Sequence, residues 1–441
     1  MDMNEAGRFS PLPGQKVAVV GSGISGLATA WLLRERYRVT LFEAADRPGG
    51  HTNTVEVELD GQRAPVDTGF LVFNRKTYPN LCGLFQTVGV ESVASEMTFS
   101  VSLRDPELEW AGTSLDTVFG QRSNLVKPAF WTMLRDIMRF NRETTGMAVT
   151  GESTGVSLGD YLEGNGYSRE FRDWYLLPMA AAIWSCPTQQ MLAYPLATFA
   201  RFCHNHGLLQ VTNRPQWLTV AGGGRSYVSR LLSDLSDVRL GCPVTSMTRD
   251  GLGATLTTPD GEERFDAVVL ACHSDQALRL LGGQATDAER SVLGAVRYQP
   301  NVAYLHTDPA LLPRREKLWS AWNYLAGEGL PGQQPVSVSY LINRLQPLPF
   351  KRPVVVSLNP ERAPADDHVI ERIEYAHPIF DQLAIEAQSW LTGLQGRERT
   401  WYAGAWSGFG FHEDGLRSAV AVASQFGVEA AWTTRAEAVA A

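Results

Sequence analysis

The sequence predicts an α/β fold, a Rossmann-like dinucleotide-binding domain interleaved with a second, α+β domain. Three observations predict it. Residues 17–52, VAVVGSGISGLATAWLLRERYRVTLFEAADRPGGHT, read as strand, glycine turn, helix, strand, acid and glycine pair. Similar strand patterns return far along the chain, in 217–234, in FDAVVLAC at 265–272 and in 400–423. The stretches between them differ in character: 114–206 is helical and aromatic, and 300–358 carries strand-like runs such as 301–306, 336–341 and 354–358.

Val17–Val20 is a short apolar run suited to a buried parallel strand. The turn Gly21, Ser22, Gly23, Ile24, Ser25, Gly26 follows in G-x-G-x-x-G spacing. Gly21 permits the tight turn, Gly23 lets a pyrophosphate approach, and Gly26 lets helix and strand pack closely. A helix over Leu27–Arg36 would aim its first N–H groups at the phosphates. Val39–Phe42 reads as the second strand, and Glu43, about 20 residues past the first glycines, is placed to bind a ribose diol. The pair Gly49 and Gly50 offers a second close backbone approach, which suits the longer FAD rather than NAD.

Further along, Thr54–Leu59 reads as a strand before a turn at Asp60-Gly61, Leu81–Gly89 as a helix, and 97–111 as strands. Val244–Met247 and Ala254–Thr257 read as a hairpin, and the chain ends as strand, aromatic-glycine loop and helix. The expected organisation is a leader over 1–14, a cofactor domain assembled from 15–95, 215–285 and 395–441, and a substrate domain from 96–214 and 286–394.

The net charge of −8 argues against general nucleic-acid binding. Five cysteines, Cys82, Cys186, Cys203, Cys242 and Cys272, form no C-x-x-C pair, which fits reduced thiols in a cytoplasm. No apolar run reaches membrane-spanning length. His204-Asn205-His206 does not place two imidazoles on one helix face, so no metal site is expected. No G-x-S-x-G elbow supports a hydrolase.

From the acid into the glycine pair, the chain resembles the FAD-dependent amine oxidase and carotenoid desaturase superfamily. VDTGFLVFNRKTYPNL, LLPMAAAIWS, RPQWLTVAGGG, YQPNVAYLHTDP and GFGFHEDGLRSAVAVA resemble a bacterial subgroup of FAD/NAD-binding oxidoreductases linked to cyclopropane or furan fatty acid metabolism. The resemblance implies FAD bound non-covalently and hydride removal from an unsaturated or methyl-branched acyl chain. Amine oxidation is the first alternative. A non-catalytic flavoprotein acting with a lipid methyltransferase is the second.

The resemblance also places Ala44, Thr52, Phe70, Gly404 and Leu416 beside the cofactor. Arg47 reads either as a phosphate contact or as a solvated arginine, and His51 as a flavin neighbour or a polar loop residue. Asp67-Thr68-Gly69 reads as a flavin contact or a strand-end turn, and Val244 as the start of a strand meeting adenine. Asp414 or Glu413 is expected to cap a helix near Gly415, whose dipole would face the flavin. Trp406, Phe411 and His412 are the flavin-facing candidates, with segments 171–184 and 319–324 as further walls. Two departures stand out: Ala405 replaces the acid that relatives often carry, and YQPNVAYLHTDP lacks the lysine of many amine oxidases.

Phe130–Phe140, FWTMLRDIMRF, is amphipathic, with Phe130, Trp131, Met133, Leu134, Ile137, Met138 and Phe140 on one half. With Lys127 and Arg142 nearby it reads as a packing helix or as one lying on an anionic membrane surface. The expected location is therefore cytoplasmic, with peripheral contact at the membrane's inner face.

Overall fold

The structure, a computed structural model, describes residues 9–150, 155–184, 191–210, 214–326 and 337–433. Most of the expected leader and Cys186 lie outside these residues. A parallel five-stranded sheet runs in the order Val238–Arg239, Arg38–Phe42, Lys16–Val20, Ala267–Leu270, Thr400–Tyr402. Its strands come from three stretches far apart in sequence. Successive side chains point to opposite faces. Val17, Val19, Ala267 and Val269 enter one core, while Ala18, Val20, Val268 and Leu270 enter another. This explains why these strands read as unbroken apolar runs: both faces are covered.

Helix Ile24–Leu33 lies on the first face with all ten residues buried. It begins three residues before the expected Leu27, directly at Gly23. The small Gly26 permits this, because a Cβ there would stand 1.8 Å from the Gly21 carbonyl oxygen. Helix His412–Gln425 packs beside it, with Gly415 against Ile24 and Ser25.

The second body is a seven-stranded mixed sheet in the order Val369–Ile379, Arg297–His306, Val355–Leu358, Ser337–Leu341, Trp322–Ala326, Phe99–Leu103, Leu108–Ala111. Only Trp322–Ala326 and Phe99–Leu103 pair in parallel. Helices Pro128–Thr150, Leu158–Gly164, Leu177–Trp184 and Leu196–Asn205 gather beside it around Phe140, Phe171 and Phe199, all fully buried.

Strand Val369–Ile379 and helix Gln382–Leu394 went unread in the sequence. The strand is an edge, and its charged positions break the apolar run. Within it, Ile373 and Tyr375 are buried between exposed Arg372 and Glu374, a period-two signal that could have found it. The segment at Val244 also differs from expectation, since its strand begins at Ser246.

Candidate active site

One cavity of about 730 Å³ lies where the C-terminal ends of the parallel strands meet the mixed sheet. Gly21, Ser22, Gly23, Ile24, Ser25, Glu43, Ala44, Gly49, Gly50, His51, Thr68, Gly69, Phe70, Val244, Gly404, Trp406, Phe411 and His412 line it. Gly26, Arg47, Thr52, Asp67, Asp414, Gly415 and Leu416 do not.

The glycine turn forms a cradle of backbone. Gly21 has φ +106°, and a Cβ on it would meet the Ala271 oxygen at 2.8 Å. Gly23 has φ −62° and ψ 176°, a conformation open to any residue. A Cβ on it meets nothing within 4 Å, so what glycine supplies there is space. Gly50, at φ +58°, closes over Gly23 so that a Cβ would meet the Gly23 Cα at 3.2 Å. The Glu43 carboxylate accepts hydrogen bonds from Ser22 N at 2.8 Å, Ser22 Oγ at 2.5 Å and Ala45 N at 2.9 Å. A carboxylate has about four acceptor sites, which leaves capacity for a ribose hydroxyl. Open space over a helix N-terminus, two glycines in close approach and a held acid fit a dinucleotide.

Asp67 serves a different purpose. Its carboxylate accepts from Thr54 Oγ1, Gly224 N and Gln346 Nε2, at 2.5, 2.9 and 2.8 Å. It thereby ties the hairpin Thr54–Asp67 to the loop Gly222–Gly224 and to the mixed-sheet body. Burial pushes its carboxyl up to about 6, against the pull of these donors. Arg47 donates to the Gly50 oxygen at 2.9 Å and so braces the glycine pair.

The C-terminal helix starts at His412, earlier than expected. Asp414 accepts from Phe411 N at 3.1 Å and caps that helix. Glu413 caps another: its carboxylate accepts from Asn80 N and Leu81 N, both at 3.0 Å, at the start of helix Pro79–Val88. The His412 ring stacks on Phe70 at 3.7 Å, and its Nε2 bonds Thr52 Oγ1 at 2.8 Å and Tyr227 OH at 3.1 Å. Burial lowers its pKa to about 3, so it is neutral. Trp406 Nε1 donates to the Cys272 oxygen at 3.2 Å, and Phe411 stacks on Phe202 at 5.1 Å. These three residues shape the cavity wall.

His51 packs on Tyr375 at 4.9 Å, with the His377 ring at 5.2 Å and His273 at 6.3 Å. Burial, then the neighbouring imidazoles, hold its pKa well below 6.5, and its Nε2 has no hydrogen-bond partner. Sequence reasoning missed Tyr375, His377, His273 and Tyr298. They arrive on the unread edge strand, at the N-cap of helix Ser274–Leu281 and on the strand paired with that edge.

A second chamber of about 320 Å³ adjoins the first and shares Met97, Ile183, His206, Leu208, Trp217 and Trp322 with it. Among the described residues, Glu43 and Arg279 are the acidic or basic ones lining the large cavity apart from histidines; Glu43 belongs to its dinucleotide end and Arg279 to helix Ser274–Leu281. Among the described residues, no lysine or carboxylate lines the second chamber.

Fold and cradle together fit a flavoprotein that binds a dinucleotide. The chain belongs to the family of flavin containing amine oxidoreductases, whose pattern it matches over residues 24–344. FAD is its cofactor. A carotenoid phi-ring synthase of Streptomyces griseus is 29% identical over 331 residues, 69% of this chain and 59% of that protein. A synthase of the same name from Chlorobaculum tepidum is 29% identical over 168 residues, 36% of this chain and 23% of its own. The chain thus spans less than two thirds of these relatives. In fold it is similar to wild-type putrescine oxidase bound to putrescine, at TM-score 0.66 and 17% identity, covering 94% of this chain and 99% of that one. It is also similar to the CLA-producing fatty acid isomerase from P. acnes, at TM-score 0.65 and 16% identity, covering 93% and 98%.

Proposed function

We propose that this oxidoreductase takes two hydrogens from adjacent carbons of an unsaturated or methyl-branched fatty acyl chain, one as hydride to FAD when it is bound and one as a proton to water, and leaves a further double bond. FAD, when bound, supplies the two-electron acceptor. The observation that carries the reading is the make-up of the cavity beyond the cradle: Trp184, Phe202, Trp217, Trp322, Phe409 and Phe411 wall it, and no carboxylate or lysine joins them among the described residues. An apolar chain gains from such walls at roughly 25 cal/mol per Å² buried, whereas an ammonium would enter without a counter-charge. The similarity to a carotenoid-modifying relative supports an extended apolar substrate. The methyltransferase partner implied by the subgroup resemblance belongs to the same proposal.

The amine reading has an observation of its own, since aromatic faces can hold a cation. Product analysis decides between the two. Incubation with methyl-branched unsaturated lipids should give products lighter by two hydrogens in mass spectra. Turnover of amines to aldehydes, with the lipids unchanged, would overturn the acyl reading.

We also propose that the protein touches anionic membrane without crossing it. Among the described residues no helix is long and apolar enough to span a bilayer. Of the amphipathic helix, Phe130, Met133 and Phe140 are core, while Trp131 is 50% and Met138 59% exposed. Leu125 and Val126 are also exposed, and Lys127 and Arg135 stand close in sequence. The packing and membrane readings of this helix therefore fall on different residues. Val126→Ser with Trp131→Ser should weaken binding to anionic liposomes at low salt and leave FAD content unchanged. Wild-type protein that ignores such liposomes would end this proposal.

A further inference from the structure

The second chamber has a direction. Its inner wall, Trp217, His206 and Leu208, is shared with the large cavity, and Trp217 is buried. Its outer wall includes Arg214 and Gln216, both exposed to solvent. The rest of the lining is mainly apolar and aromatic, including Phe99, Trp110, Tyr175 and Met179. A passage of this kind holds a chain along its length and reads its end at the rim.

The rim carries a cation. Arg214 Nε donates to the Gln210 oxygen at 2.8 Å, which fixes the side chain. No carboxylate pairs with its guanidinium among the described residues, although many of the chain's other arginines sit in ion pairs. Its positive charge is felt inside the chamber, where it opposes the upward push of burial on the Tyr175 hydroxyl. A planar guanidinium with free terminal donors matches a carboxylate or a phosphate and repels an ammonium.

We propose that the second chamber is a subsite for the substrate's anionic end group, a carboxylate or phosphate held by Arg214, with the apolar chain running inward past Trp217. This rests on the acyl-chain reading and sharpens it: the chain enters with its reactive carbon first and its charge last.

The test uses the FAD-loaded protein and four probes of one chain length: oleate, oleyl phosphate, oleyl alcohol and oleylamine. Binding is read from the shift in flavin absorbance. Oleate or oleyl phosphate should bind about tenfold more tightly than the alcohol, the gain of one charge-assisted contact. Whichever anion binds more tightly identifies the end group as free acid or phosphate. R214Q should bring anion affinity down to that of the alcohol, R214K should keep part of the gain, and neither should change alcohol affinity or FAD content. An anion advantage that survives in R214Q, or an amine that binds more tightly than oleate, would overturn the subsite. Equal binding of all four probes would remove Arg214 from the account and leave the acyl-chain reading standing. Binding by none of them would remove both.

Discussion

At the dinucleotide end of the cavity the contact surface is mostly backbone; beyond it the surface is mostly side chain. The cradle is made by Gly21, Gly23 and Gly50, with one acid, Glu43, held by a neighbour 21 residues away. The walls beyond it come from Trp184, Trp217, Trp322, Tyr375 and Phe411, on five elements or loops that share no local pattern. The contrast teaches what each end can tolerate. A cradle fails when a side chain is added, and a wall fails when one is removed.

The largest effects should come from adding side chains to the cradle, and they should separate two roles of glycine. Gly26→Val would drive a Cβ into the Gly21 carbonyl at 1.8 Å. It should cost more than about 4 kcal/mol and abolish soluble folded protein. The Cβ of Gly23→Val meets no protein atom within 4 Å, and the position demands no unusual φ. The variant should fold, with native circular dichroism, but without FAD. Its melting temperature should equal that of the apo wild type, because the loss is that of a ligand bound to the native state. A Gly23→Val protein with full FAD content would show that the turn does not hold the pyrophosphate.

Next in size is a pair of adjacent residues on the amphipathic helix. Phe130 is fully buried against Phe119 and the core around Trp110. Phe130→Ser should cost about 3–5 kcal/mol in urea unfolding. Trp131→Ser should cost under about 1 kcal/mol. Equal losses would mean that the helix presents a different face.

The smallest effect is that of pH on the apo protein. Burial lowers the pKa of His51, His206, His273, His306, His377 and His412, to about 4 for His206, His306 and His377. The unfolded chain therefore binds more protons below about pH 6.5, so the stability these groups allow is present above 6.5 and is lost as pH falls toward about 4. Asp67, Glu413 and Asp414, raised by burial, act in the opposite sense: their contribution is present at low pH and fades as pH rises. Six groups outweigh three, and melting temperature should drop between pH 7 and pH 5. A rise over that interval would contradict the neutral-histidine cavity.

The same contrast explains what could be read in the sequence. The cradle was legible because each of its parts acts locally: Gly21 turns, Gly26 packs and Gly50 approaches Gly23, all within one stretch of 30 residues. The seven-stranded sheet was legible in its buried strands, such as Ser337–Leu341 and Val355–Leu358, but not at its edge, where solvent allows Glu371, Arg372 and Glu374. The structural role of Asp67 was not legible, since its partner Gln346 lies 279 residues away. Nor was the histidine cluster. His51, His273 and His377 are single residues in unrelated motifs until the fold brings them together.

The dinucleotide cradle opens onto apolar walls that, among the described residues, carry no carboxylate to balance a cation beyond Glu43. Anaerobic mixing of the FAD-loaded protein with substrates, followed by flavin absorbance, tests the acyl reading most directly. Methyl-branched unsaturated acyl lipids should bleach the flavin, and polyamines and monoamines should not. Bleaching by an amine, with no response to any lipid, would contradict it.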